Sequence, residues 1–174
     1  MLIVDVDQFT MVLKPSYPFE YDDWRYGVAI NLIDEFIDKS KIGFVLGNIV
    51  EADKNLPAGY TEGYMIEDSL YYFSIAYNEA MPNIGVIVKF SGHAWSVYMK
   101  NYEDIYGEKM NLWRFFSLIN SDLYEYRLSR IDPYVDFINE GLDVAKIKKS
   151  IEAGRSEIRY GKSRQKFIRE DCWR

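Results

Sequence analysis

One stretch limits the fold of this chain more than any other: Ser129-Arg130-Ile131-Asp132-Pro133-Tyr134-Val135-Asp136-Phe137. Its polar and apolar residues alternate with the two-residue period of a strand. Ile131, Pro133, Val135 and Phe137 therefore point one way, and Asp132, Tyr134 and Asp136 the other. The first set reads as a core face. Two carboxylates on the opposite face are costly unless they are solvated, paired or holding a cation. The stretch is thus either an edge strand with a wet outer face or a site for a metal ion or a nucleic-acid backbone.

The chain has 174 residues, enough for a single domain, 1–174, with its own core. Aromatics reach 17%, with 15 Tyr, so much of the packing is aromatic. No apolar run is long enough to span a membrane, and no leader pattern opens the chain. Cys172 is the single cysteine and His93 the single histidine. An internal disulfide, a zinc site of several Cys and His, and a paired-histidine metal site are thereby excluded. His93 reads as a structural residue at a helix start. One cysteine suits a reducing, cytoplasmic setting. Residues 1–141 sum to −11 and residues 142–174 to +5, so a basic tail follows an acidic body. That tail is either a phosphate-contacting arm or a solvated face that pairs with the body. Lys146, Lys148, Lys149, Arg159, Lys162, Arg164 and Lys166 are its candidate DNA contacts.

The patterning predicts a strand or bent pair over 2–14, ended by Pro15 and Pro18. A helix from Trp24, capped by Asp22 or Asp23, presents Val28, Leu32, Ile33 and Phe36 on one face. Phe44-Val45-Leu46 reads as a short buried run, and most of 47–62 as loop. Strands over 70–77 and 84–90 form a hairpin. Helices follow Ser91-Gly92, with Ala94, Trp95, Tyr98, Tyr102 and Ile105 inward, and cover 111–120. The strand 124–137 comes next. A helix over 143–152 follows, capped by Asp143, with Val144, Ile147 and Ile151 inward, and then a strand begins near Ser156. Strands joined by hairpins and by one or two helices predict an α+β fold: an antiparallel sheet with helices packed on one face.

Asp132 and Asp136 lie four residues apart, roughly 13 Å between Cα atoms in an extended strand. They share one ion only through a bend, for which Pro133 is the natural place, or with a ligand from elsewhere. Glu157 is the first such candidate. A carboxylate set of this kind suits magnesium or manganese.

These residues resemble a known family. The stretch at 129–137 is similar to the Thr-Arg-hydrophobic-Asp-x-Ala-hydrophobic-Asp strand of the trans-acting replication initiation factors. Those proteins start rolling-circle replication of plasmids and related mobile elements. Gly85-Val86-Ile87-Val88-Lys89-Phe90-Ser91-Gly92 resembles the family's strand ending in Phe-Ser-Gly before a helix. Asp7-Gln8-Phe9-Thr10 resembles its opening strand, and the helix pair falls in the expected order. The resemblance implies a Rep- or relaxase-like fold, a DNA origin as partner, an occasional homodimer and no membrane. It implies a metal-dependent nicking and joining endonuclease whose tyrosine attacks a phosphodiester. It carries Asp132 and Asp136 over as metal ligands and adds Arg130 to the DNA contacts. Tyr160-Gly161-Lys162-Ser163-Arg164 begins the family's tyrosine segment, but Glu170 to Arg174 hold no tyrosine where the nucleophile is expected. The expectation is a truncated or N-terminal member, with no catalytic tyrosine identified. The alternative is a non-catalytic DNA- or protein-binding domain of a mobile element.

Overall fold

The computed structural model describes residues 1–52, 54–156, 158–160 and 163–165. The chain divides into two compact units, Val4–Tyr134 and a smaller one formed by Met1–Ile3 with Val135–Arg174. In chain order the elements are β1 (Leu2–Pro15), α1 (Tyr21–Asp23), a π-helical turn (Trp24–Val28), α2 (Ala29–Ser40), α3 (Ile42–Val45), β2 (Ile49–Glu51), β3 (Glu62–Ile66) and β4 (Phe73–Tyr77). They continue with a 3-10 turn (Pro82–Ile84), β5 (Val86–Phe90), α4 (Gly92–Tyr106), α5 (Leu112–Leu118), β6 (Tyr124–Phe137), α6 (Val144–Glu152), β7 (Ile158–Tyr160) and β8 (Ser163–Gln165).

The larger unit is built on a six-stranded sheet in the order β2-β3-β4-β5-β1-β6. The pairings along β2 to β5, and of β5 with β1, are antiparallel. Ser129 Oγ donates to the Thr10 carbonyl and the Ser16 amide to the Leu123 carbonyl. Partners on β6 descend as those on β1 rise, so this pair is antiparallel too. The first strand thus lies between the fifth and the sixth. This is the α+β architecture expected from the element order.

Alternation sets the two faces of the sheet. Phe9, Met11 and Leu13 on β1, Val86, Val88 and Phe90 on β5, and Phe73 and Ile75 on β4 are fully buried. They meet Leu32, Ile33 and Phe36 of α2, Trp95 and Tyr98 of α4, and Phe115 of α5 in one core. Phe9 and Phe90 are register partners whose rings stack at 4.9 Å. Trp95 meets Phe9 edge-on at 5.0 Å, and Phe115 approaches it at 5.7 Å. Such aromatic contacts add to the stabilisation that burial alone supplies.

Several local expectations change. The first helix starts at Tyr21, not Trp24. Glu20 caps it, and Asp23 returns a bond to the Glu20 amide. Trp24 is buried inside the π-turn and donates Nε1 to the Asn78 carbonyl at 2.8 Å. The stretch 47–62 holds the short strand β2, which three residues are too few to announce by alternation. Phe44 and Ile105 are exposed, because each faces away from its helix's packed side. Val144, Ile147 and Ile151 of α6 are not buried. The largest change concerns the stretch at 129–137. Ile131, Val135 and Phe137 are 43%, 46% and 54% exposed, so they do not form a core face. The physical reason is position: β6 is the outermost strand of its sheet. Tyr124 and Tyr126 pack against α5 and its C-cap, at Ile119 and Phe116.

Truncating Phe9 to Ala is expected to cost about 3–5 kcal/mol of unfolding free energy. Trp113→Ala, at a site 82% exposed, is expected to stay within about 0.5 kcal/mol of the parent. Urea melts of the two variants check the pair.

Candidate functional site

The central part of β6 carries a compact polar cluster. Arg130 grips Asp132 as a two-pronged fork, Nε to Oδ1 at 2.9 Å and Nη2 to Oδ2 at 2.6 Å. Two residues apart on one strand, they are on the same side, which makes the fork short and local. Gln8 of β1 donates Nε2 to Asp132 Oδ2 at 2.6 Å. Asp132 accordingly accepts three bonds while remaining about a third exposed. The hydrogen bonds from Arg130, and next from Gln8, hold its carboxyl below the ordinary Asp value of 3.8. The same pairing raises the Arg130 guanidinium, which is cationic at any working pH.

Beside this cluster, β1 meets the start of α4. Ser91 caps α4 by accepting from the Ala94 amide at 3.2 Å. A Cβ on Gly92 would lie 2.4 Å from Asp7 Oδ1. The missing side chain lets the Asp7 carboxylate sit against the first turn of α4, where the helix dipole favours an anion. The Phe90-Ser91-Gly92 run has three physical jobs: a core ring, a cap, and room for Asp7. His93 follows, exposed, with its ring 5.7 Å from that of Tyr71. It lies in the first turn of α4, the helix-start position expected from the sequence.

The other predicted residues are dispersed. Asp136 is exposed and belongs to the smaller unit, whereas Asp132 belongs to the larger. Glu157, Lys162 and Lys166 lie outside the described residues. Arg159 and Arg164 are register partners on the β7–β8 hairpin. Lys146 and Lys149 are exposed on α6, and Lys148 is half-buried there. Asp143 caps that helix through the Lys146 amide at 3.0 Å, and Gly154 follows its end with a φ of 69°. Within the same unit the N-terminal amine contacts Glu140.

Among the described residues, no three Asp, Glu, His or Cys side chains gather to hold a metal ion. Both Asp132 oxygens are already taken by Arg130 and Gln8. These residues do not make a ready cation site. Burial raises the hydroxyls of Tyr60, Tyr64, Tyr77, Tyr98 and Tyr124, the reverse of what a nucleophile needs. Two surface clefts are acid-lined, one by Glu51 and Glu62, the other by Asp34, Glu35 and Asp38, and neither suits a phosphate. A third holds Arg25, which is paired with Glu79 at 3.2 Å. Gln8 is a neighbour of Asp132 that local spacing does not announce; only the pairing of β1 with β6 brings it there.

No family model matches the chain, and no curated protein matches its sequence. Among solved structures, the chain is similar to a rolling circle replication initiator protein from Geobacillus stearothermophilus, with a TM-score of 0.50 and 16% identity. The likeness covers 88% of this chain and 51% of the other, so the chain spans about half the length of that protein. At this identity the likeness concerns the fold alone, the α+β sheet-and-helix arrangement described above. Among the described residues, no helix is long and apolar enough to cross a membrane.

Replacing Arg130 by Ala is expected to raise the Asp132 midpoint toward 3.8, followed by carboxyl NMR titration. The sign for stability follows from the depressed folded value. Asp132 stabilises the fold above its unfolded pKa, and that contribution is lost as pH falls through the lower, folded pKa. The parent is therefore expected to lose more stability than R130A on acidification below pH ~4.

Proposed function

We propose that this chain is a DNA-binding domain of the replication-initiator type, acting at the origin of a plasmid or related mobile element. The observation that carries the reading is the likeness of 88% of the chain to a solved rolling circle replication initiator. The Arg-x-Asp strand supports it, since the stretch that resembles the initiation factors in sequence is β6, the edge strand of that same sheet.

Chemically, the described residues support binding before cleavage. Arg130 is half-exposed and already oriented by Asp132, so its guanidinium can turn a remaining N–H edge to a phosphate without giving up its charge. Lys146 and Lys149 offer exposed ammonium groups on α6. In the same reading, strand nicking would need a tyrosine nucleophile and, by the family's chemistry, magnesium or manganese. Origin specificity and a homodimer belong to the same proposal. A protein-binding role is the second reading, favoured by Met1, Leu2, Val135, Phe137 and Leu142, which leave apolar surface exposed on the smaller unit.

The reading predicts binding to DNA that weakens linearly in log K against log salt. Fluorescence anisotropy with labelled duplex and single-stranded DNA measures it. Changing Lys146, Lys148 and Lys149 together to Glu is expected to abolish most of that binding at moderate salt. Absence of salt-dependent binding by the parent chain sinks the reading. Incubation with supercoiled origin plasmid and manganese tests nicking separately.

A further inference from the structure

The cleft that holds Arg25 lies between the start of the first helical segment and the turn after β4. Tyr21, Asp22, Arg25, Tyr26, Glu79 and Ala80 line it and enclose about 210 Å³. Three contacts tie its two walls together. Tyr21 Oη donates to the Ala80 carbonyl at 3.0 Å, and Trp24 Nε1 to the Asn78 carbonyl at 2.8 Å. Arg25 Nε pairs with Glu79 Oε1 at 3.2 Å. Both walls belong to the larger unit.

The π-turn decides which side chains reach the cleft. In a regular α-helix the Ala29 amide would bond to the Arg25 carbonyl. Here it bonds to the Trp24 carbonyl. One extra residue is fitted into the turn, so Trp24 takes the inward place and is fully buried. Arg25 and Tyr26 are left exposed. Such turns are rare and concentrate at functional sites.

The exposed pair has a defined geometry. Arg25 Cζ lies 5.5 Å from the centroid of the Tyr26 ring, over one face. Glu79 holds the guanidinium, and the guanidinium in turn fixes the ring through a cation–π contact. The ring is nonetheless 80% exposed, so its other face is open. A fixed tyrosine with one open face is a stacking platform for a planar ring. The charge of the cleft selects what stacks there. Asp22 and Glu79 outnumber Arg25, which disfavours a phosphate. A neutral base carries no such penalty, and a carboxylate accepts from the amino group on the edge of a base such as cytosine.

We propose that this cleft takes an unpaired base of single-stranded DNA, stacked on the open face of Tyr26. The assignment rests on the DNA-binding reading above and adds to it a contact that involves no phosphate.

The test uses the full chain and a fluorescein-labelled oligodeoxycytidylate, read by anisotropy over a salt series. Tyr26→Ala removes the ring, and Tyr26→Phe keeps it. Trp113→Ala, which removes another exposed aromatic ring on α5, is the control. Y26A is expected to lose about five-fold or more in affinity, the loss of one stacked base. Its salt slope is expected to match the parent's, because no cation is removed. Y26F and W113A are expected to keep the parent's affinity, and circular dichroism to be unchanged in all three. If the parent binds and Y26A binds equally well, the cleft assignment falls while the DNA-binding reading stands. A lower salt slope in Y26A overturns it as well, since the ring then acts by placing Arg25 on a phosphate. Equal losses in Y26A and W113A also overturn it. If the parent does not bind the oligonucleotide, both fall together.

Discussion

The stack of Phe9 on Phe90 is the contact on which the rest of the structure depends. It joins the first strand of the chain to the fifth, and edge-on contacts from Trp95 and approaches from Phe115 then attach α4 and α5 to the sheet. Once Phe9 is fixed in this core, the residues on either side of it must face the other way. That single constraint turns Gln8 and Thr10 to the other face of the sheet. It also makes β1 an interior strand, with β6 as its outer neighbour.

The polar cluster on β6 follows from that placement. Asp132 is held by a neighbour on its own strand and by a residue 124 positions earlier in the chain. The first bond is local and short-range in sequence. The second exists only because β1 has been inserted between β5 and β6. Opposite it, the close approach of Gly92 to Asp7 ties the start of α4 to the same strand. The features that resemble the replication initiation factors therefore converge on β1, from its neighbours on both sides. Their convergence gives the resemblance a physical basis that short motifs lack when read singly.

How much of this could be read in advance depends on the length of each signal. The 14-residue strand β6, the helices following Ser91 and Asp143, and the inward set Ala94, Trp95, Tyr98 and Tyr102 all have enough residues to show their period. The three-residue β2 does not. The π-turn at Trp24–Val28 leaves no mark in a 3.6-residue pattern, so periodicity puts the helix start at Trp24 instead of Tyr21. Alternation over 129–137 was real, but which side it buries is not a property of the strand. Ile131, Val135 and Phe137 have the pattern of a core face and stand exposed, because burial requires a second layer over them.

By itself the sequence determined the longer elements and their order. It also determined the α+β class and the exclusion of chemistry that needs more than one histidine or cysteine. Those properties depend on residues near one another in the chain or on composition. Tertiary structure alone decided that β1 lies between β5 and β6 and that Gln8 meets Asp132. Each of these joins residues far apart in sequence, and strand order is set by how apolar faces are covered rather than by any one strand's pattern.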